Sequence, residues 1–296
     1  MTIRKIMAVA AAAALALGAA GCGSSKLDSG NTSGGYEVVK NPKFAAGSTM
    51  ERLNKAQSIR VGVKFDQPGI GNRNSSTGKP EGFDIEIAKY LAGQLGIPEN
   101  KIQWTETVSK NREPFLSNGT VDLVAASYSI TDDRKKVVDF AGPYYQTGQD
   151  LLIRKEDAGK ITGPESLAGK KVCSVTASTP LGKIEKDYPQ AKTTGLATYS
   201  ECVDQLESKT VDVVTTDGAI LLGYAARNPQ QLQVVGKPFS TEKYGIGLKK
   251  GDDALRAFLN DALQKAFDNG SWKKAYDATL GKSGSQAPKP PAIERY

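Results

Sequence analysis

Apolar positions along this chain keep two rhythms that alternate. SIRVGV (58–63) is a short apolar run ending at Lys64, and FDQPGIGNRNSSTGKPEG (65–82) after it is turn chemistry throughout. GFDIEIAKYLAGQLGI then spaces Ile85, Ala88, Leu91 and Leu95 along one helical face, with Asp84 and Glu86 in the first turn and Gly96 at the end. Those two acids read as helix-start residues. KIQWTETV predicts a strand, Arg112 to Leu116 a short helix, and TVDLVAASYSI a further strand. The order β-α-β-α-β argues for a parallel sheet with helices packed on it.

The second half repeats the grammar. SLAGKKVCSVT predicts a strand, Thr179 to Tyr188 a helix, KTTGLATY a strand, SECVDQLESKT a helix capped by Ser200, and VDVVTTDGAILLGYAAR a strand running into a helix. VDLVAAS at 121 and VDVVTTD at 211 are the same device: a Val-Asp entry, a buried strand, then polar residues at its carboxyl end. Two α/β lobes follow. LLIRKED at 151 and YGIGLKK at 244 are extended apolar segments on either side of the second unit and read as crossings between lobes; one last helix, Asp252 to Leu280, returns to the first. GKSGSQAPKPPAIERY is a Pro-rich tail expected to be disordered.

The N-terminus changes where this machinery is expected to work. MTIRKIMAVAAAAALALGAAGC has a basic start, an apolar run from Ile6 to Leu17 too short to span a bilayer, and small residues up to Cys22. A plain cleaved secretory signal is one reading. The favoured one is a lipoprotein signal in which Cys22 becomes the lipid-modified N-terminus, because Ala19-Ala20-Gly21-Cys22 is similar to a lipobox and the Gly/Ser-rich GSSKLDSGNTSGG that follows suits a tether. The chain is therefore expected outside the cytoplasm, anchored to the cell membrane. There a disulfide between Cys173 and Cys202, the other two cysteines, is permitted, and closing that loop would contribute about 3 kcal/mol.

Composition excludes more than it selects. The 296 residues carry 39 Lys and Arg against 32 Asp and Glu, with none of the clustered basic character of a nucleic-acid binder. There is no histidine, which removes Ser-His-Asp and Cys-His catalysis and the commonest zinc sites. No catalytic residue, metal or cofactor is expected.

Four charged residues stand at predicted strand ends: Lys64, Arg112, Arg134 and Asp217. Each has an ordinary explanation alone. Arg134, in SYSITDDRKK, sits in a helical first turn where the dipole disfavours a cation, so either Asp132 and Asp133 neutralise it or an anion belongs in front of it. Asp217 reads as an N-cap, and Lys64 and Arg112 as solvated loop cations. Together they have the charges that an α-amino acid requires, with Arg134 able to grip a carboxylate and Asp217 an ammonium from opposite lobes. Ser127, Ser129, Thr176, Ser178 and Thr179 would add neutral donors and acceptors, or serve as turn and cap residues.

Two motifs carry a resemblance. GFDIEIAKYLAGQLG matches the signature of the family 3 bacterial solute-binding proteins, the polar amino-acid receptors of ABC importers, and ASYSITDDRKKVVDFAGPYY resembles their first-lobe binding segment. The likeness runs from about Ser58 to Gly281. It implies the two-lobed type II periplasmic-binding-protein fold, each lobe a mostly parallel sheet flanked by helices, with a two-strand hinge near Thr147–Leu151 and Ser240–Tyr244. In the family the arginine at the position of Arg134 holds the ligand α-carboxylate, assisted by hydroxyls matching Ser129 and Thr179, and an aspartate matching Asp217 takes the α-ammonium. SKNREPFLSNG is similar to glutamate- and aspartate-binding members, whose arginine at the position of Arg112 contacts the side-chain carboxylate; VKFDQPGIG resembles actinobacterial glutamate-binding lipoproteins.

The reading that follows is a receptor, not an enzyme, expected as a monomer, that closes on L-glutamate or L-aspartate and delivers it to an ABC permease. The expected organisation is a signal peptide (1–21), tether and linker (22–50), first lobe (51–147 with 244–282), second lobe (148–243) and tail (283–296). The three cations against Asp217 leave two positive charges, which an acidic ligand partly balances. A glutamine receptor is the nearer alternative, and an enzyme like the cyclohexadienyl dehydratases of the same fold the more distant one.

Overall fold

The computed structural model describes residues 32–33, 35–283 and 286–296; the signal segment and Cys22 lie outside the described residues. Its centre is a pair of five-stranded sheets. The first runs in the order Ile102–Glu106, Ile59–Val63, Leu123–Ala125, Glu242–Lys249, Val138–Thr147, and the second in the order Lys192–Leu196, Lys171–Val175, Val213–Asp217, Gln149–Arg154, Leu232–Val234. In each, three strands pair in parallel and the strands that lead across to or back from the other sheet pair antiparallel. The sheets are thus more mixed than βαβ grammar predicts, because a crossing strand enters from the opposite end. Val138–Thr147, with Pro143 in its middle, was not legible as a strand, yet it pairs along nearly its whole length with Glu242–Lys249.

Only Gly148 separates Val138–Thr147 from Gln149–Arg154. A Cβ there would fall 2.6 Å from the Ser240 carbonyl oxygen of the returning segment, so glycine is what lets the two crossings lie together.

Helix Phe83–Gln94 is buried almost all round, where its sequence spacing suggested a single apolar face. Two elements help to cover it. The N-terminal segment lays Tyr36 and Val38 on it, and Val39 N donates to Gly93 O at 2.9 Å. From the other side Trp272 and Tyr276, on helix Ser271–Ala278, meet the Phe83 ring edge-on at 5.7 and 6.0 Å, contacts of about 0.5–1.5 kcal/mol each beyond area burial.

Several expectations need correction. The linker expected to reach residue 50 is packed from Tyr36 onward, and helix Thr49–Ala56 begins inside it. The single last helix is two, Asp253–Asp268 and Ser271–Ala278. Thr198, not Ser200, caps helix Tyr199–Glu207, in a capping box with Glu201. The stretch read as turns throughout forms a small three-stranded sheet, Asp66–Gln67, Gly71–Arg73 and Pro80–Glu81. The tail expected to be disordered is held along the first sheet. Glu294 N donates to Gly142 O at 2.8 Å, the Tyr296 hydroxyl accepts from Phe140 N at 2.8 Å, and the Tyr296 ring lies between Lys135 Nζ and Arg256 at 4.5 and 4.4 Å. Composition announced disorder, but its few large side chains find specific partners.

The sulfurs of Cys173 and Cys202 are joined in the structure, linking strand Lys171–Val175 to helix Tyr199–Glu207 with their Cα atoms 5.5 Å apart. Among the described residues no helix is long and apolar enough to cross a membrane.

Candidate functional site

The carboxyl ends of the parallel strands in the two sheets converge on one cavity. Lys64 follows Ile59–Val63, Ser109 and Arg112 follow Ile102–Glu106, Ser127 and Ser129 follow Leu123–Ala125, Ser178 and Thr179 follow Lys171–Val175, and Asp217 ends Val213–Asp217. All of these line it. The cavity measures about 10 Å³, the room of roughly one water, so an amino acid enters only if the lobes part. A larger cavity, of about 560 Å³, is lined by residues of helix Gly218–Arg227 together with Pro68, Gly69 and Leu280, and none of the strand-end cations lines it.

On the first lobe, burial works against positive charge. Lys64 is 3% exposed; its Nζ donates to Ser109 Oγ at 2.9 Å, and among the described residues no carboxylate lies in ion-pair distance of it. Burial, then the Arg112 charge, push it down to about 7. Arg112 is equally buried and pinned by backbone: Nε donates to Ser109 O, and Nη1 to the carbonyls of Ala126 and Ser127, each at 3.2 Å. Its guanidinium lies 4.3 Å from the Tyr128 ring centroid, and burial lowers its pKa to about 10.

Arg134 answers the question its sequence posed. Neither aspartate neutralises it: Asp132 and Asp133 are exposed and face Lys135 and Lys136. Thr131 caps the short helix Asp132–Lys135. The Arg134 side chain instead reaches back, with Nε 3.3 Å from Glu113 Oε1, Nη1 donating to Ser129 O at 2.8 Å and Nη2 to Ala177 O of the other lobe at 3.1 Å. It lies 5.2 Å from the Tyr128 ring at the rim of the cavity and does not line it. Thr176 does not line it either; it is exposed.

On the second lobe, burial works against negative charge. Asp217 occupies an N-cap position but makes no side-chain cap bond, contrary to its ordinary reading. Its Oδ2 accepts from the Tyr244 hydroxyl at 2.6 Å, and its Oδ1 is buried with no partner. Burial, then the neighbouring Glu242, raise its pKa to about 7. Glu242 also accepts from the Thr179 hydroxyl at 2.9 Å, and that hydroxyl lies 3.3 Å from Ser129 Oγ.

The backbone is strained where it frames the cavity. Ser127 has φ +44° and Ala177 φ +62°, left-handed values costing about 1–3 kcal/mol each for such residues. Ser127 is held there from several sides. Its N donates to Asp84 Oδ2 at 2.8 Å, its hydroxyl to Gln67 Oε1, and its carbonyl takes Arg112. Asp84, although it lies in the first turn of its helix as expected, therefore does more than start it. It is wholly buried, accepts a second bond from the Tyr144 hydroxyl at 2.6 Å, and burial raises its pKa to about 6.

Sequence reasoning missed Asp84, Gln67, Ser109, Tyr199 and Glu242. Asp84 had a signal, an acid inside the run FDIEIA, but only the burial of the whole helix reveals its role. Gln67 was hidden in turn-like sequence. The acids also revise the charge balance: with Asp84 and Glu242 beside Asp217, the three cations no longer face a single anion.

Comparison with known proteins is consistent with this geometry. The chain is 38% identical over 233 residues to the glutamate-binding protein GluB of Corynebacterium glutamicum, covering 76% of this chain and 79% of that one. It is 40% identical over 229 residues to the ABC transporter glutamine-binding protein GlnH of Bacillus subtilis, covering 77% and 83%. The crystal structure of a solute receptor for L-cysteine of Neisseria gonorrhoeae superposes with a TM-score of 0.77 at 28% identity, covering 83% of this chain and 99% of that one. The neighbours have the type II periplasmic amino-acid-binding fold. A family model matches residues 59–282, and the chain belongs to the bacterial extracellular solute-binding proteins, family 3.

Proposed function

We propose that the protein is the receptor of an ABC importer that closes on L-glutamate, with L-aspartate as a shorter alternative, and delivers it to the permease. The observation that carries the acidic assignment is Lys64: a buried cation beside a second one, with a serine hydroxyl where a carboxylate would fit. Arg134 is assigned to the ligand α-carboxylate, which it reaches by exchanging its bonds to Ser129 O and Ala177 O. Asp217, through the unpartnered Oδ1, is assigned to the α-ammonium. Ser127, Ser129, Ser178 and Thr179 complete the set, and Thr176 joins only if its loop turns inward.

Membrane attachment through lipid on Cys22, oxidation of Cys173 and Cys202 in the mature protein, a monomeric state and a permease and ATPase as partners belong to the same reading. No bond is made or broken in it: closure is the mechanism, because a ligand bridging both lobes favours the state in which it touches both. A glutamine receptor is the second reading, favoured by the 40% identity to the Bacillus glutamine-binding protein. Against it, glutamine would leave Lys64 without a counter-charge, at about 1–3 kcal/mol. A thermal-shift screen of the twenty amino acids tests the proposal: glutamate should give the largest shift, and a shift with arginine or glutamine but none with glutamate would refute the acidic assignment.

A further inference from the structure

The small sheet at 66–81, which the sequence pattern passed over as turns, makes contacts with the second lobe that start at the edge of the cavity and run away from it. Asp66 Oδ2 accepts from the backbone N of Tyr199, at the start of helix Tyr199–Glu207, at 2.7 Å. The carbonyl of the same residue accepts from the Tyr224 hydroxyl. Asn72 Oδ1 accepts from Arg227 Nη2 at 2.9 Å. Between these polar contacts the sheet and helix Gly218–Arg227 touch backbone to backbone, so that a Cβ on Gly223 would overlap the Pro68 carbonyl. Pro68, Asn72, Gly223, Tyr224 and Arg227 do not line the ligand cavity.

We propose that the part of this small sheet beyond Gln67, Pro68 and Asn72 against Gly223, Tyr224 and Arg227, is a closure latch, a set of positioning residues that hold the lobes together without touching the ligand. The proposal rests on the interlobe binding reading given above. A contact present only in the closed state contributes its whole net stabilisation to ligand affinity, because the apparent dissociation constant scales inversely with the fraction of molecules able to close. The latch also differs from the residues at the cavity in one testable respect: it is blind to the ligand's side chain. Asp66 is a poor probe of it, since its carboxylate also acts on the charge of Lys64. Asn72, Arg227 and Gly223 are the informative positions.

The test is a double-mutant cycle read by calorimetric titration with L-glutamate and, separately, with L-glutamine. Asn72→Ala and Arg227→Ala should each weaken binding by about three- to tenfold, and the double variant by no more than the larger single loss. Gly223→Ala should exceed both. Each factor should be the same for the two amino acids, and the ligand-free melting temperature should stay within about 2 °C of wild type. Unchanged affinity in the single variants, losses that multiply, or a loss for glutamate alone would overturn the latch while leaving the binding reading intact. If wild type binds neither amino acid, the binding reading fails first and the latch with it.

Discussion

The two ends of the cavity are electrical opposites built in the same way. At the first-lobe end Lys64 is buried against its own charge and drawn down to about 7; at the second-lobe end Asp217 is buried against its own and drawn up to about 7. Each has a single hydroxyl partner, Ser109 for the lysine and Tyr244 for the aspartate. Neither group finds its counter-charge in the protein at hydrogen-bond range, so a ligand carrying both charges relieves both. The difference lies in what each end can read. In the proposed reading Asp217 takes the ammonium that every α-amino acid has, while Lys64 is set against a side chain that only an acidic amino acid fills with charge.

The sharpest way to break that comparison is to neutralise Asp217. Asp217→Asn should weaken glutamate and glutamine alike by more than a hundredfold, about 3–5 kcal/mol, since it leaves a buried ammonium unpaired. Titration calorimetry reads it, and retention of either ligand would remove Asp217 from the ammonium role. Next in size, Lys64→Met should weaken glutamate by about ten- to a hundredfold and leave glutamine within about threefold. A parallel loss of both ligands would mean that Lys64 holds the site together and does not select.

Titration sharpens the comparison further. Asp217 and Asp84, raised to about 7 and about 6, bind protons in the folded protein that the unfolded chain has released, so their contribution to stability is full below about pH 4 and lost as pH rises through 7. Lys64 binds fewer protons folded than unfolded between about 7 and its ordinary 10.5, so its contribution grows as pH rises across that window. The ligand-free protein should therefore have a stability minimum near pH 7 from these groups. Asp217→Asn should flatten the acid side of that minimum and Lys64→Met the alkaline side, as read by melting temperature from pH 4 to 10. The smallest effect concerns the aspartates next to Arg134. Replacing Asp132 and Asp133 with asparagine should leave glutamate affinity unchanged, whereas Glu113→Gln, which releases the Arg134 Nε, should weaken it by about two- to threefold.

The sequence carried the lobes, the strand-end residues and the cation-against-anion pattern because these depend on local rhythm: an apolar run, then a polar residue where it stops. It failed where the outcome depends on what covers an element. Asp84 looks like a helix-start acid until Tyr36, Trp272 and Tyr276 close around its helix and leave it only Ser127 N and the Tyr144 hydroxyl. Gln67 and Ser109 reach the cavity, and Glu242 reaches the Thr179 hydroxyl next to it, through register and turn geometry that no spacing encodes. Val138–Thr147 was missed because Gly142 and Pro143 interrupt an otherwise readable strand. The tail was misread because low hydrophobicity predicts disorder only when its few large residues find no site, and Tyr296 finds one between two cations.

The central claim is that the first-lobe end reads charge. Side-by-side calorimetric titration of the wild-type protein with L-glutamate and L-glutamine in one buffer near pH 7 tests it most directly. The account predicts glutamate at least about tenfold tighter. Equal affinities, or glutamine the tighter of the two, would contradict it.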